Sequence, residues 1–93
     1  MTKQSSYTQE AAESLAIQAL TFLGSDPDRL ARFLALSGIG PQSIRAAARE
    51  TGFLAGVLEY LATDQELLLA FAAEVDLPPE VIDKARRILS AAE

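Results

Sequence analysis

The chain has 93 residues, with hydrophobic side chains at 49% of positions and a formal net charge of −5 at pH 7. This length supports one domain, and the negative charge disfavours nucleic acid as a general partner, because phosphates would be repelled on average. Since the chain contains no cysteine and no histidine, it lacks the side chains most used for disulfides, metal ligation and acid–base or nucleophilic catalysis, and we expect neither an enzyme nor a cofactor-binding protein.

The start of the chain is polar. Residues 1–7 predict a flexible lead-in to a single helical domain over residues 8–93. The lead-in lacks the apolar centre of a signal peptide, and no apolar run is long enough to span a bilayer. These features predict a cytoplasmic protein without a membrane segment.

The periodicity of apolar residues predicts three helices in the first half of the chain, residues 8–50. Each is bounded by a capping residue or proline at its start and a glycine at its end. They run from Ser6 or Thr8 to Gly24, from Asp26 to Gly38, and from Pro41 to near Gly52.

Three more helices are predicted in the second half, residues 51–93. They run from Phe53 to Ala62, from Thr63 or Asp64 to about residue 75, and from Pro78 or Pro79 towards the end. The fifth predicted helix is apolar on nearly every face, which favours a central position in a bundle. The alternative is that one side of Leu67, Leu69 or Ala70 lies in an exposed patch that binds a partner or a second copy.

The two halves resemble each other at an offset of 38 residues. Residues 20–49 then align with residues 58–87, and ten positions are identical. Such self-similarity is typical of one supersecondary unit used twice. We therefore predict an all-α fold: a compact bundle of six short helices, built as two pseudo-repeated three-helix units.

The turn between the second and third predicted helices resembles a helix-hairpin-helix motif. In that motif, backbone N–H groups of a glycine-containing turn and of the next helix bind a phosphate. The residues that would do so are Gly38, Gly40, Arg45 and Arg49. The second half has Asp76 and two prolines at this turn; a carboxylate repels phosphate and proline donates no N–H. A tight helix connection is the favoured interpretation, and nucleic-acid binding is the alternative.

Two acidic pairs stand at the predicted helix starts, Asp26 with Asp28 and Asp64 with Glu66. They could be read as metal ligands brought together by the repeat. Caps and first-turn acidic residues are favoured at such positions in any case, and no histidine or cysteine completes a site. We predict helix caps and no metal.

Four segments carry a resemblance to a known family. They are AESLAIQAL at 12–20, DPDRLARFLAL at 26–36, FLAGVL at 53–58 and LLLAFA at 67–72. The chain is similar in these segments to a small alphaproteobacterial family known as domain of unknown function 3572. The resemblance implies a stand-alone bacterial cytoplasmic protein, and it brings no activity, ligand or catalytic residue.

These observations favour a non-enzymatic helical protein-interaction module. It would bind a protein partner or a second copy through residual apolar surface of predicted helices 4–6, with Leu67, Leu69 and Phe71 as contact residues. A small molecule bound between the two halves would leave no sequence signal.

Overall fold

The computed structural model describes residues 8–92, and within that range it contains six α-helices and no β-strand. The helices are α1 (Gln9–Gly24), α2 (Pro27–Ser37), α3 (Ile44–Ala47), α4 (Thr51–Ala62), α5 (Gln65–Val75) and α6 (Pro79–Ala92). A single 3₁₀ turn, Pro41–Ser43, leads into α3. The predicted all-α fold of six short helices is confirmed, whereas the predicted lead-in at residues 1–7 and a helix start at Ser6 lie outside the described residues.

Side-chain caps fix three of the helix starts. Thr8, Asp26 and Asp64 each accept a hydrogen bond from a backbone N–H two or three residues on, at 3.0, 3.0 and 3.2 Å. These bonds satisfy N–H groups that have no partner within the helix. The acidic residues at the starts of α2 and α5 therefore serve as helix caps, as predicted.

Two helices end in a left-handed residue. Gly38 closes α2 at φ +76°, and Asp76 closes α5 at φ +57°. Glycine adopts this conformation without strain, and aspartate is among the few other residues that tolerate it. Since the two positions are 38 residues apart, the same backbone turn follows α2 and α5 with different side chains.

The core lies between α1, α4 and α6, the three helices that pack most extensively on one another. Small side chains at their contacts let the helix axes approach closely. The fully or almost fully buried alanines are Ala12, Ala16, Ala19, Ala55 and Ala85. Helix α1 also contacts α2, and both α4 and α6 contact α5, so α2 and α5 lie outside this central group of three.

The central position predicted for the fifth helix is therefore wrong. Leu67 and Phe71 of α5 enter the core, but Leu69 is 47% exposed. Residues one helical turn apart share a face, while a residue midway between them points elsewhere. Helix α5 thus packs with one face on α4 and α6, and its other face meets solvent.

The third predicted helix is also much shorter than expected. It was predicted to extend from Pro41 to near Gly52, whereas α3 ends at Ala47 and Gly52 lies inside α4. Ile44 is only half-buried, and α3 has no extensive packing with any of the other five helices. Short helices depend on tertiary packing for stability, and α3 has little of it.

Several structural features follow the 38-residue offset. Helices α2 and α5 span 27–37 and 65–75, and α1 and α4 end at 24 and 62. The rings of Phe33 and Tyr60 lie 5.2 Å apart between centroids, and those of Phe71 and Phe22 lie 5.4 Å apart. In sequence, Phe33 lies 38 positions before Phe71, and Tyr60 lies 38 positions after Phe22. The construction from two pseudo-repeated three-helix units stays a prediction.

Candidate functional site

An open apolar groove lies between α2 and α4, with a volume of about 450 Å³. One side is formed by α2 and the turn after it, and the other by α4 and its C-cap. The lining residues are Phe33, Leu36, Ser37 and Ile39 on the first side, and Gly52, Phe53, Gly56, Glu59, Tyr60 and Thr63 on the second. We call this feature groove A.

Two glycines and three aromatic rings shape groove A. Gly52 and Gly56 lie one helical turn apart, and a Cβ atom built on Gly56 would have no neighbouring atom within 4 Å. The ring of Phe33 meets those of Phe53 and Tyr60 edge-on, at centroid distances of 5.8 and 5.2 Å. Gly56 therefore leaves an open recess along α4, beside the aromatic cluster.

Leu36 stands in the lining of this recess and is 72% exposed. Two other large hydrophobic residues in the described part of the chain are exposed, Ile17 at 46% and Leu69 at 47%. Burying a leucine side chain is worth about 1.5–3 kcal/mol. Of these three side chains, Leu36 would therefore contribute the most free energy if a partner buried it.

The electrostatics of groove A are simple, because Glu59 is the charged residue of its lining. The Glu59 carboxylate accepts a hydrogen bond from the Ser90 hydroxyl of α6 at 2.9 Å. At the other end of α4, the Thr51 hydroxyl donates to the Glu13 carboxylate of α1 at 3.0 Å. These two bonds hold α4 to α6 and α1, so the α4 side of the groove is anchored at both ends.

A second groove lies between α1 and α5, with a volume of about 520 Å³. It is lined by Ile17, Gln18, Thr21, Phe22, Ser25, Arg29, Phe71, Glu74 and Val75. The guanidinium carbon of Arg29 lies 4.8 Å from the centroid of the Phe22 ring and covers it. We call this feature groove B; its lining is more polar than that of groove A.

The predicted contact residues do not form one surface. Phe71 is fully buried and Leu67 is 8% exposed, because both lie on the core face of α5. Leu69 is exposed but lines neither groove. Of the helices proposed to carry residual apolar surface, α4 lines the apolar groove A together with α2, and α5 exposes Leu69 outside it.

The helix-hairpin-helix alternative draws on two segments: Gly38 and Gly40 lie on the turn from α2 to α3, while Arg45 lies on α3 and Arg49 follows it. The N–H of Gly38 donates to the Leu34 carbonyl at 2.9 Å, so it caps α2. After Gly40 come a three-residue 3₁₀ turn and a four-residue helix, too short to present the dipole of a full helix to a phosphate. Arg45 and Arg49 are exposed. The structure adds no support to nucleic-acid binding, which stays a prediction.

Sequence reasoning missed the residues that shape groove A. The candidates predicted from the sequence do not include Leu36, Gly52 or Gly56. The predicted helix end near Gly52 is wrong, because Gly52 lies inside α4. A signal was present: two glycines one turn apart inside an apolar helical segment place both on one face. Such a pair indicates a helix face open to close approach.

Outside the grooves, charged groups form small surface clusters. On α6 the Arg86 guanidinium donates to the Asp83 carboxylate at 2.8 Å, and Arg87 lies 3.2 Å from the same group. The hydrogen bond from Arg86 holds the pKa of Asp83 below its usual value. Over residues 8–92, no group of three acidic side chains converges to hold a metal ion.

Comparison with known protein families gives a match. The sequence model of the family described as "Protein of unknown function (DUF3572)" matches residues 9–92. No curated protein and no solved structure matches the chain. Among the described helices, none combines the length and apolarity needed to cross a membrane.

Proposed function

We propose that the chain, which belongs to the DUF3572 family, is a helical protein-interaction module and that groove A is its binding surface. The description of the family states no activity, so the proposal rests on the surface of the molecule. The observation that carries the proposal is Leu36, a leucine 72% exposed beside a recess left open by Gly56. Exposed apolar surface of this kind is typical of binding sites.

The shape of groove A fits a helix as its ligand. Its α4 side extends from Gly52 to Thr63, which is three helical turns or about 16 Å. A helix lying in such a groove would place apolar residues at i, i+3 or i+4, and i+7 against it. The missing side chain at Gly56 allows the backbone of that helix to approach closely.

The proposal includes the absence of catalysis. General acid–base chemistry needs a titratable group in reach of the substrate and usually a second group to tune or assist it. Groove A offers Glu59 alone, already hydrogen-bonded to Ser90. A cytoplasmic location in a bacterium belongs to the same proposal.

A photo-crosslinking experiment tests the proposal. Benzoylphenylalanine is incorporated at position 36 in the native host cells, and at Leu69 as a matched control, since both leucines are exposed. Irradiation is expected to give a discrete protein adduct from position 36 and none of the same mass from position 69. Adducts of equal yield from both positions, or none from position 36, would refute the assignment of groove A.

A further inference from the structure

The break between α3 and α4 has no cause in the local sequence. Helix α3 ends at Ala47, Glu50 has an extended conformation at φ −103° and ψ 128°, and α4 begins at the next residue. Helices usually break at proline, at glycine or at a capping side chain. Residues 44–50, IRAAARE, include none of these, and six of the seven are alanine, arginine or glutamate, which favour helix. The path of the chain, and not local preference, therefore imposes the break.

The break also leaves backbone groups at the start of α4 without a partner. The first N–H groups of an α-helix have no acceptor within it, and Glu50 supplies no side-chain hydrogen bond to those of α4. In a helix continuous through this point, the N–H groups of residues 51–53 would donate to the carbonyls of residues 47–49, four positions earlier. A continuous helix would thus satisfy groups that the broken arrangement leaves uncapped.

The corresponding segment in the second half of the chain is one uninterrupted helix. At the 38-residue offset, residues 44–50 align with residues 82–88, which lie within α6. The identical positions are Ile44/Ile82, Ala47/Ala85 and Arg49/Arg87. The residue pattern of 44–50 is therefore compatible with a continuous helix.

The core face of α4 continues into this segment. Residues seven positions apart are about two helical turns apart and lie on one face. Ala47 and Ala48, both half-buried, precede the buried Leu54 and Ala55 by this interval. A helix running through the break would keep its apolar residues in line with the core face of α4.

The groove face of α4 continues in the same way. Arg45 and Arg49, both exposed, precede Gly52 and Gly56 of groove A by seven positions. In a continuous helix the two arginines would fall on the face that lines groove A. The α4 side of the groove would then be longer and would end in two positive charges.

From these matches we propose that residues 44–50 form a conformational switch, which exchanges between the broken arrangement and a helix continuous with α4 over residues 44–62. The broken arrangement is favoured by the packing of α2 on α4, where the ring of Phe33 meets those of Phe53 and Tyr60. Helix α3 itself has no extensive packing with the other described helices, so the continuous arrangement loses few contacts. It forms a minor population of roughly 1–10%.

Carbon relaxation dispersion of the purified full chain tests the proposal, because hinge motions occur on the μs–ms timescale that this method detects. The Cα signals of residues 44–50 are expected to show exchange, and the minor state at Glu50 should have a helical Cα shift. Leu61 is fully buried on α4 and helical in both arrangements, so its signal is expected to show no exchange.

Thr51→Pro is expected to abolish the exchange at Glu50. Proline is accepted at the first position of a helix and keeps the residue before it extended, so this variant allows only the broken arrangement. Thr51→Ala is the matched control, since both variants remove the hydrogen bond from the Thr51 hydroxyl to Glu13, and it should retain the exchange.

Gly52→Ala changes the balance in the other direction and decides the matter even if Thr51→Pro does not fold. Glycine disfavours the interior of a helix more than its first turn, and Gly52 is interior only in the continuous arrangement. The minor population is expected to rise about two- to fivefold. Melting temperatures confirm that each variant is folded.

The wild type without exchange at residues 44–50 would overturn the proposal. A minor state with the shifts of an unfolded segment, or exchange that Gly52→Ala or Thr51→Pro leaves unchanged, would overturn it too. The switch does not depend on the proposed function, although its effect on groove A does. Exchange in a chain that gives no specific adduct from position 36 would retain the switch and remove groove A as a binding surface; an adduct without exchange would do the reverse.

Discussion

Replacing Phe71 with alanine is expected to lower the free energy of unfolding by about 3–5 kcal/mol, the usual cost of deleting a buried aromatic ring. Phe71 is fully buried, and its ring lies 5.4 Å from that of Phe22. A domain of this size has a total stability on the order of 5–14 kcal/mol. The substitution would therefore remove a large fraction of the stability of the fold.

Urea unfolding followed by circular dichroism measures this effect. The matched control is Leu69→Ala, two residues away on the same helix but 47% exposed, with an expected change of about 0.5 kcal/mol or less. A loss at Phe71 of under about 1 kcal/mol, or equal losses at the two positions, would show that α5 does not bury the face assigned to it.

Enlarging Ala85 to leucine is expected to cost about 1–3 kcal/mol, because the added atoms have no space. Ala85 is fully buried on α6, the helix that packs on both α1 and α4. Its counterpart at the 38-residue offset is Ala47 on α3, which is only half-buried. Ala47→Leu is expected to change stability by about 0.5 kcal/mol or less.

Thermal and urea unfolding of the two variants compare the third helix of each half directly. Leucine and alanine have similar helix propensities, so the difference reports packing. A cost at position 47 equal to that at position 85 would mean that α3 packs into the core as α6 does, contrary to the structure.

The local features of this fold could be predicted from the sequence. Asp26 and Asp64 cap their helices, and Gly38 ends α2 in the left-handed conformation. Each of these depends on a side chain and a backbone group within a few residues of one another. Such short-range chemistry is visible in the sequence because no tertiary contact has to be known first.

The position of each helix in the bundle could not be predicted in the same way. Helices α4 and α5 are both apolar on most faces, and periodicity alone did not show which would be central. The proline at position 41 and the apolar residues after it predict a full helix, but the helix that forms there covers only residues 44–47. Groove A joins α2 to α4, so its existence depends on a long-range contact between Phe33 and Tyr60.

The most direct test of groove A as a binding surface compares the amide NMR spectrum of the purified, labelled protein with its spectrum in an extract of the native host cells. The chain has five glycines, and glycine amide signals are well separated in such spectra. We expect the signals of Gly52 and Gly56 to shift or broaden in the extract while that of Gly24, outside the groove A lining, stays constant. Signals at Gly52 and Gly56 that do not move, or a Gly24 signal that moves as far, would contradict the account.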